Sequence, residues 1–425
     1  MAQIASARAV HWARRNAERV VYRVAGLPIA ISALVHADPN GPASPLRSAY
    51  AADFWHPRNL SSFFQLAVAA LIWPVALLAS AGWFAWKNGE IVRRRCGKSR
   101  LRQFYEEHRD YFEAGILPPW YYMFELYDGR ADPASYIGRF ETKAGFYPLL
   151  RRTLGAESPL NDKAAFRERC CAHNIASIPV LARASGGRIT MVEREHLPAE
   201  DLFVKPVAGR GGIGAERWDY CDGHYRDGDG GELDETQLID RLRLRSRSSP
   251  CLVQPRVRNC AALDDINNGA LSTVRIVTCL DERGHPEVVA AVMRMAVGDN
   301  HRVDNFHAGG IVAAVDLNSG RMDCASDLGT DSRLGWVDRH PSSGASFRGR
   351  LVPQWKAICS LARRAHRAFP ERVVVGWDIA PTCDGPVVVE GNAAPDLDLI
   401  QRATRRGLAN TRLGELLQHH IGKLD

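Results

Sequence analysis

Lysine is scarce in this 425-residue chain, with seven lysines against 48 arginines. Where composition runs so far toward arginine, a lysine set in an apolar strand points to a need for a compact ammonium. Paired cysteine is missing as well. The ten cysteines include no C-x-x-C and no His/Cys spacing for zinc, and Cys170-Cys171 are adjacent, so the thiols read as ordinary ones in a reducing compartment. Neither a Gly-x-Ser-x-Gly elbow nor a catalytic Cys/His pattern is present, which argues against a dedicated nucleophilic side chain. The net charge is +7, but no basic stripe is interleaved with aromatics, so no nucleic-acid partner is expected. Charge itself is absent over about 25 residues from Phe63 to Trp86.

At 1.5 Å per residue that uncharged run is long enough to cross ~30 Å of hydrocarbon. Aromatics lie at both ends, and Lys87, Arg93, Arg94, Arg95, Lys98, Arg100 and Arg102 follow it, against Arg47 and Arg58 shortly before. The positive-inside bias places the C-terminal side in the cytoplasm. A buried helix, or one bent at Pro74, has the same composition. The sequence thus predicts an arm over 1–60, whose Arg8, Arg14, Arg15, Arg19 and Arg23 suit an interfacial helix. A candidate transmembrane helix follows over 61–87, then a basic, helical region over 88–158, then a catalytic domain over 159–425. The expected location is the inner (cytoplasmic) membrane, with the catalytic domain in the cytoplasm.

Chemistry concentrates in the last strand pair. Trp377 to Ala380, a Cys383-Asp384-Gly385-Pro386 turn and Val387 to Asn392 read as a β-hairpin. Folding it back sets Asp378 opposite Glu390, with Asn392 on the same face as Glu390. Two carboxylates and an amide oxygen suit Mg²⁺, which completes its octahedron with phosphates and water; a surface hairpin with scattered acids is the plainer reading. Upstream, the strand Leu202 to Pro206 carries Lys205 and runs into Gly209, Gly211, Gly212 and Gly214. Glycine at that density lets backbone N–H groups approach an anion, although ordinary turns share the composition and the P-loop pattern is not met. Lys163 opens a helix over 161–174, and a strand begins over 175–181. Residues 219–235, rich in Asp and Gly, read as a mobile surface insertion. Arg275 and Arg294 sit in apolar strands over 273–280 and 288–297, where a charge needs a partner, either a phosphate or a structural carboxylate.

In this order, Asn-Asp-Lys, Phe-Val-Lys-Pro, Gly-Arg-Gly-Gly-Ile-Gly, Leu-Val-Gln-Pro, Thr-Val-Arg-Ile-Val-Thr, Asn-Phe-His-Ala-Gly-Gly and Glu-Gly-Asn resemble the ATP-grasp superfamily. Within it the sequence is most similar to the sugar-transfer-associated branch, and more distantly to the ribosomal-protein glutamate ligases, from about Trp120 to Gln401. The resemblance implies an α+β fold of two subdomains gripping ATP, behind an N-terminal helical, membrane-spanning extension. It implies that Lys163 and Lys205 hold the phosphates, that Gly209 to Gly214 fold over them, and that Leu252, Val253 and Gln254 form the hinge whose backbone edge meets adenine. Asn305, His307, Gly309 and Gly310 would line the loop beside metal and acceptor, with Arg275, Arg294 and Asn305 in the catalytic group. Asp378, Glu390 and Asn392 would hold Mg²⁺. The implied reaction joins a carboxylate donor to an amine acceptor, one of them sugar-linked, at the expense of ATP. A kinase acting on a hydroxyl, and a membrane-tethered nucleotide-binding interaction protein without turnover, are the alternatives.

Overall fold

The computed structural model describes residues 24–27, 29–31, 44–56, 59–154, 157–207, 214–228, 230–298, 309–331 and 334–423. Arg8 to Arg23 of the expected arm, and Gly209, Gly211, Gly212, Asn305 and His307, lie outside the described residues. The chain divides into two compact units, 1–155 with 328–335 and 396–425, and 156–327 with 336–395. Two stretches of the expected 159–425 block thus cluster with the N-terminal unit.

That first unit is helical. Its longest helix, Leu60–Cys96, starts where the Asn59 side chain accepts from the Ser62 N–H and stops at Gly97, whose φ of 76° lets its N–H turn back to the Arg93 carbonyl. Arg93, Arg94 and Arg95 occupy its last turn, where cations favour the carbonyl end of the helix dipole. The Arg100–Ala114 and Pro118–Met123 helices follow. Residues distant in sequence close the unit: the Gln401 amide bonds both the N–H and the carbonyl of Ile137, at 3.0 and 2.8 Å.

The second unit holds two antiparallel sheets. The seven-stranded one contains β1 (Ala182–Ser185), β2 (Arg188–Met191), β3 (Leu202–Pro206), β4 (Glu216–Cys221), β5 (His224–Asp227), β6 (Glu232–Leu233) and β7 (Cys251–Pro255), in the order β2-β1-β7-β3-β4-β5-β6. The six-stranded one contains β8 (Thr273–Leu280), β9 (Pro286–Met295), β10 (Ile311–Val315), β11 (Met322–Ser326), β12 (Val374–Thr382) and β13 (Gly385–Asn392), ordered β11-β10-β9-β8-β12-β13.

Two expectations are corrected here. Residues 219–235 are not a loose insertion but most of β4 to β6, because Asp222 and Gly223, both at positive φ, form a tight hairpin turn. Residues 175–181 are not a regular strand. Only Ser177 bridges, to Val388, and Pro179 has no N–H to continue a ladder.

Alternation along each strand gives each sheet one face for a helix. Under the Glu235–Ser246 helix, which opens with an Asp234/Gln237 capping box, Leu238 and Leu242 pack on Ala182, Leu202, Val204, Cys251 and Val253. Beneath the Trp355–Ala368 helix, Ile358, Leu361, Ala362 and Ala365 join Val274, Ile276, Trp377, Ile379 and Val388. The functional side chains come from the opposite faces.

Candidate functional site

Asp162 caps the Lys163–Ala172 helix by accepting from the N–H groups of Ala164 and Ala165, at 2.8 and 3.1 Å. The cap fixes Lys163 in the first turn, and the Lys163 ammonium donates to the Val207 carbonyl at 2.9 Å, two residues before Gly209. Lys205 stands on β3 opposite Leu252 of β7, and Phe203 opposite Gln254, so Lys205, Leu252 and Gln254 share the uncovered face. With Lys163, Ile178 and Glu390 of β13 they line one crevice between the two sheets. Burial pulls the Lys205 ammonium down to about 8, against the attraction of Glu390 and with Lys163 adding repulsion. Glu390 makes no hydrogen bond or ion pair among the described residues.

The hairpin register is as expected: Asp378 lies opposite Glu390, and Asn392 opposite Gly376. Asp378 and Glu390 nevertheless have different surroundings. Asp378 is buried and accepts from Arg275 Nε and Nη2 at 2.5 and 2.9 Å and from Arg294 Nη1 at 2.9 Å. Burial alone would push its carboxyl up, but the two guanidiniums outweigh this and hold it down at about 2. Both arginines therefore have the carboxylate partner that the sequence left open. Gly376 makes the arrangement possible, since a Cβ there would sit 2.6 Å from Pro395 Cβ and 3.4 Å from Arg275 Cδ. The Nδ2 of Asn392 is buried without a partner among the described residues.

Other sequence-predicted residues are placed less directly. Val253 points into the core beneath the Glu235–Ser246 helix, and its carbonyl accepts from Leu181 N–H at 2.8 Å. Gln254 spends its amide on the carbonyls of Ile178 and Pro179, at 3.3 Å each. Gly214, at φ 74°, keeps the conformation that glycine permits. Gly209, Gly211 and Gly214 do stand at G-x-G-x-x-G spacing, but that loop leads into strand β4 rather than a helix, unlike a dinucleotide-binding turn. Sequence reasoning missed Arg167, which lines the crevice and bonds the Ser177 carbonyl at 3.0 Å. Its place one helical turn after Lys163 was the available signal.

Mg²⁺ fits part of the expected ligand set. Among the described residues no group of three His, Cys, Asp or Glu could hold a metal ion, and Asp378 is committed to two guanidiniums. One unpaired carboxylate, Glu390, beside the amide of Asn392, matches an ion that takes few protein ligands and several phosphate oxygens.

A family model described as sugar-transfer associated ATP-grasp matches residues 155–415. The chain belongs to that family. Its α+β core is the ATP-grasp fold. Comparison with curated proteins gives no match. Among solved structures, the ATP-grasp chain is similar to an L-amino acid ligase from Bacillus licheniformis, with a TM-score of 0.37 and 13% identity over 67% of this chain and 53% of that one. It thus spans about half that protein's length. A D-alanine–D-alanine ligase from Bacillus anthracis gives 0.36 and 11%, over 68% and 78% of the two chains. An N5-carboxyaminoimidazole synthase from Aspergillus clavatus gives 0.30 and 11%, over 59% and 47%.

Proposed function

We propose that this protein is a Mg²⁺- and ATP-dependent carboxylate–amine ligase. The observation that carries the reading is the convergence of Lys163, Lys205 and Glu390 on one crevice between the sheets. Two ammonium groups there favour a polyanion, and one unpaired carboxylate beside them favours a cation that travels with it. Lys163 and Lys205 bind the nucleotide phosphates, while Leu252 and Ile178 form an apolar wall for the base. Bound through Glu390 and Asn392, Mg²⁺ would offset phosphate charge during transfer. Asp378 acts as a positioning residue that fixes Arg275 and Arg294. An oxygen of the donor carboxylate attacks the γ-phosphorus and the bond to ADP breaks, giving an acyl phosphate. The amine then attacks the acyl carbon, phosphate leaves with the bonding pair, and the amine loses a proton. Positioning and electrostatics carry such a reaction.

The family's association with sugar transfer supports a role in building or modifying a cell-surface polysaccharide by joining an amino acid to a sugar acid or amino sugar. The test is to incubate the full-length protein with Mg·ATP and pools of amino acids, sugar acids and amino sugars, recording ADP, free phosphate and product mass. Equal ADP and phosphate, with a product formed by loss of water, is the expected result. ADP without phosphate, and an acceptor heavier by a phosphoryl group, would make the protein a kinase and overturn the proposal. Failure to bind Mg·ATP would favour an interaction protein instead.

A further inference from the structure

The Leu60–Cys96 helix is long and apolar enough to cross a membrane, but its neighbours in the first unit restrict how it can meet one. Ala69, Leu77, Ala81, Ala85, Gly89 and Val92 form its buried stripe, at the spacing of a helix packed on protein. From Trp73 onward the Arg100–Ala114 helix runs back along it. Trp73 stacks on Tyr111 at 6.1 Å, the Gln103 amide donates to the Gly89 carbonyl at 3.0 Å, and a Cβ on Gly89 would meet Arg100 Cγ at 2.3 Å. That neighbouring helix holds seven Arg, Asp and Glu among its 15 residues. A crossing would carry these charges into hydrocarbon, where each is costly. Leu60 to Ile72, the part that precedes the Trp73 contact, is 13 residues long and reaches about 20 Å, short of the ~30 Å core.

The opposite face of the same helix is open and apolar. Leu60, Phe64, Leu71, Val75, Leu78 and Trp86 are 89, 69, 81, 69, 54 and 62% exposed, three to eight residues apart. Arg93 and Arg94 continue it, both exposed. We propose that the Leu60–Cys96 helix lies in the plane of an anionic lipid leaflet, apolar face in the acyl boundary and Arg93 and Arg94 among the phosphates, with both ends on one side of the membrane. An apolar face flanked by cations matches such a surface, because acyl chains take the first and headgroup phosphates the second.

Native Cys96 is exposed at the helix end and supplies a reference for the test. Full-length protein carrying Ser61→Cys is treated in sealed inside-out vesicles with a membrane-impermeant maleimide, and labelling is read site by site by mass spectrometry. Equal reaction at Ser61→Cys and Cys96 without detergent is the expected result. Reaction of the first only after permeabilisation would mean a crossing helix and overturn the proposal. In flotation with phosphatidylglycerol vesicles, R93Q/R94Q should lower binding by roughly tenfold or more relative to the unaltered chain. No flotation of the unaltered chain, an unchanged R93Q/R94Q variant, or an oligomer that buries the apolar face would each overturn it. None of these readouts depends on turnover, so they stand or fall apart from the ligase reading.

Discussion

Lys205 and Glu390 line the same crevice, and the carboxylate acts on the ammonium. With its ammonium pulled down to about 8, Lys205 is charged below that pH and neutral above it. Affinity for ATP should therefore hold at neutral pH and fall as pH rises through about 8, which nucleotide-binding titrations across pH will show. Glu390→Gln removes an attraction that raises the Lys205 value, so the falling limb should move to lower pH. Lys205→Ala should cost about 10²-fold in turnover with the fold intact. Asp378 behaves differently, although it sits opposite Glu390 on the adjacent strand. Asp378→Ala removes the buried carboxylate that bonds both guanidiniums, a change that costs about 3–5 kcal/mol, whereas Glu390→Gln should stay within about 0.5 kcal/mol. Denaturant titration of the two variants separates a positioning carboxylate from a ligand carboxylate.

Strand β12 is held from behind by a buried hydrogen-bond chain. Trp377 Nε1 donates to Thr278 Oγ1 at 2.8 Å, that hydroxyl meets His366 Nδ1 at 2.8 Å, and His366 Nε2 meets the Arg372 carbonyl at 2.8 Å. Because the Arg372 carbonyl can only accept, the imidazole carries a proton on Nε2. Burial pulls His366 down to about 4 from the ordinary 6.5, against the hydrogen bond to Arg372. Between those values the unfolded chain binds a proton that the folded chain does not. Stability is thus complete above pH 6.5 and is lost as pH falls toward 4, by on the order of 3 kcal/mol. Urea titrations over that range should show the slope. His366→Gln, whose amide still offers one acceptor and one donor, should flatten it.

At the scale of the whole chain, the first unit depends on its long helix. Removing residues 1–90 would strip away the Phe84 ring that stacks on Tyr122 at 6.2 Å, the Gly89 carbonyl that satisfies Gln103, and the Asn88 amide that donates to Thr330 at 3.1 Å. Glu107, buried beside Tyr122 and pushed up to about 9 by desolvation, would meet water. Limited proteolysis should find the remainder of that unit cleaved rapidly in the deletion. Nucleotide binding should persist, because Lys163, Lys205 and Glu390 all belong to the second unit. A protease-resistant first unit would mean that the helix is an appendage rather than part of its packing.

The sequence by itself determined the strands and their pairing wherever local pattern is strong. Thr273–Leu280 is a β-branched run, Asp384-Gly385 fixes a turn, and period-two alternation then puts Asp378 opposite Glu390. It also determined the two lysines, since rarity and placement beside a capping Asp and a glycine run are local facts. Only the tertiary structure decided what each charge faces. Arg275 and Arg294 turn to Asp378 instead of leaving it open, Val253 turns inward with its register partners Val204 and Ala182, and Glu390 has no hydrogen-bond or ion-pair partner among the described residues. The long helix shows the same division. Composition made it apolar, but the charged helix packed along its second half decides how much of it lipid can surround, because burial depends on neighbours that no local pattern names.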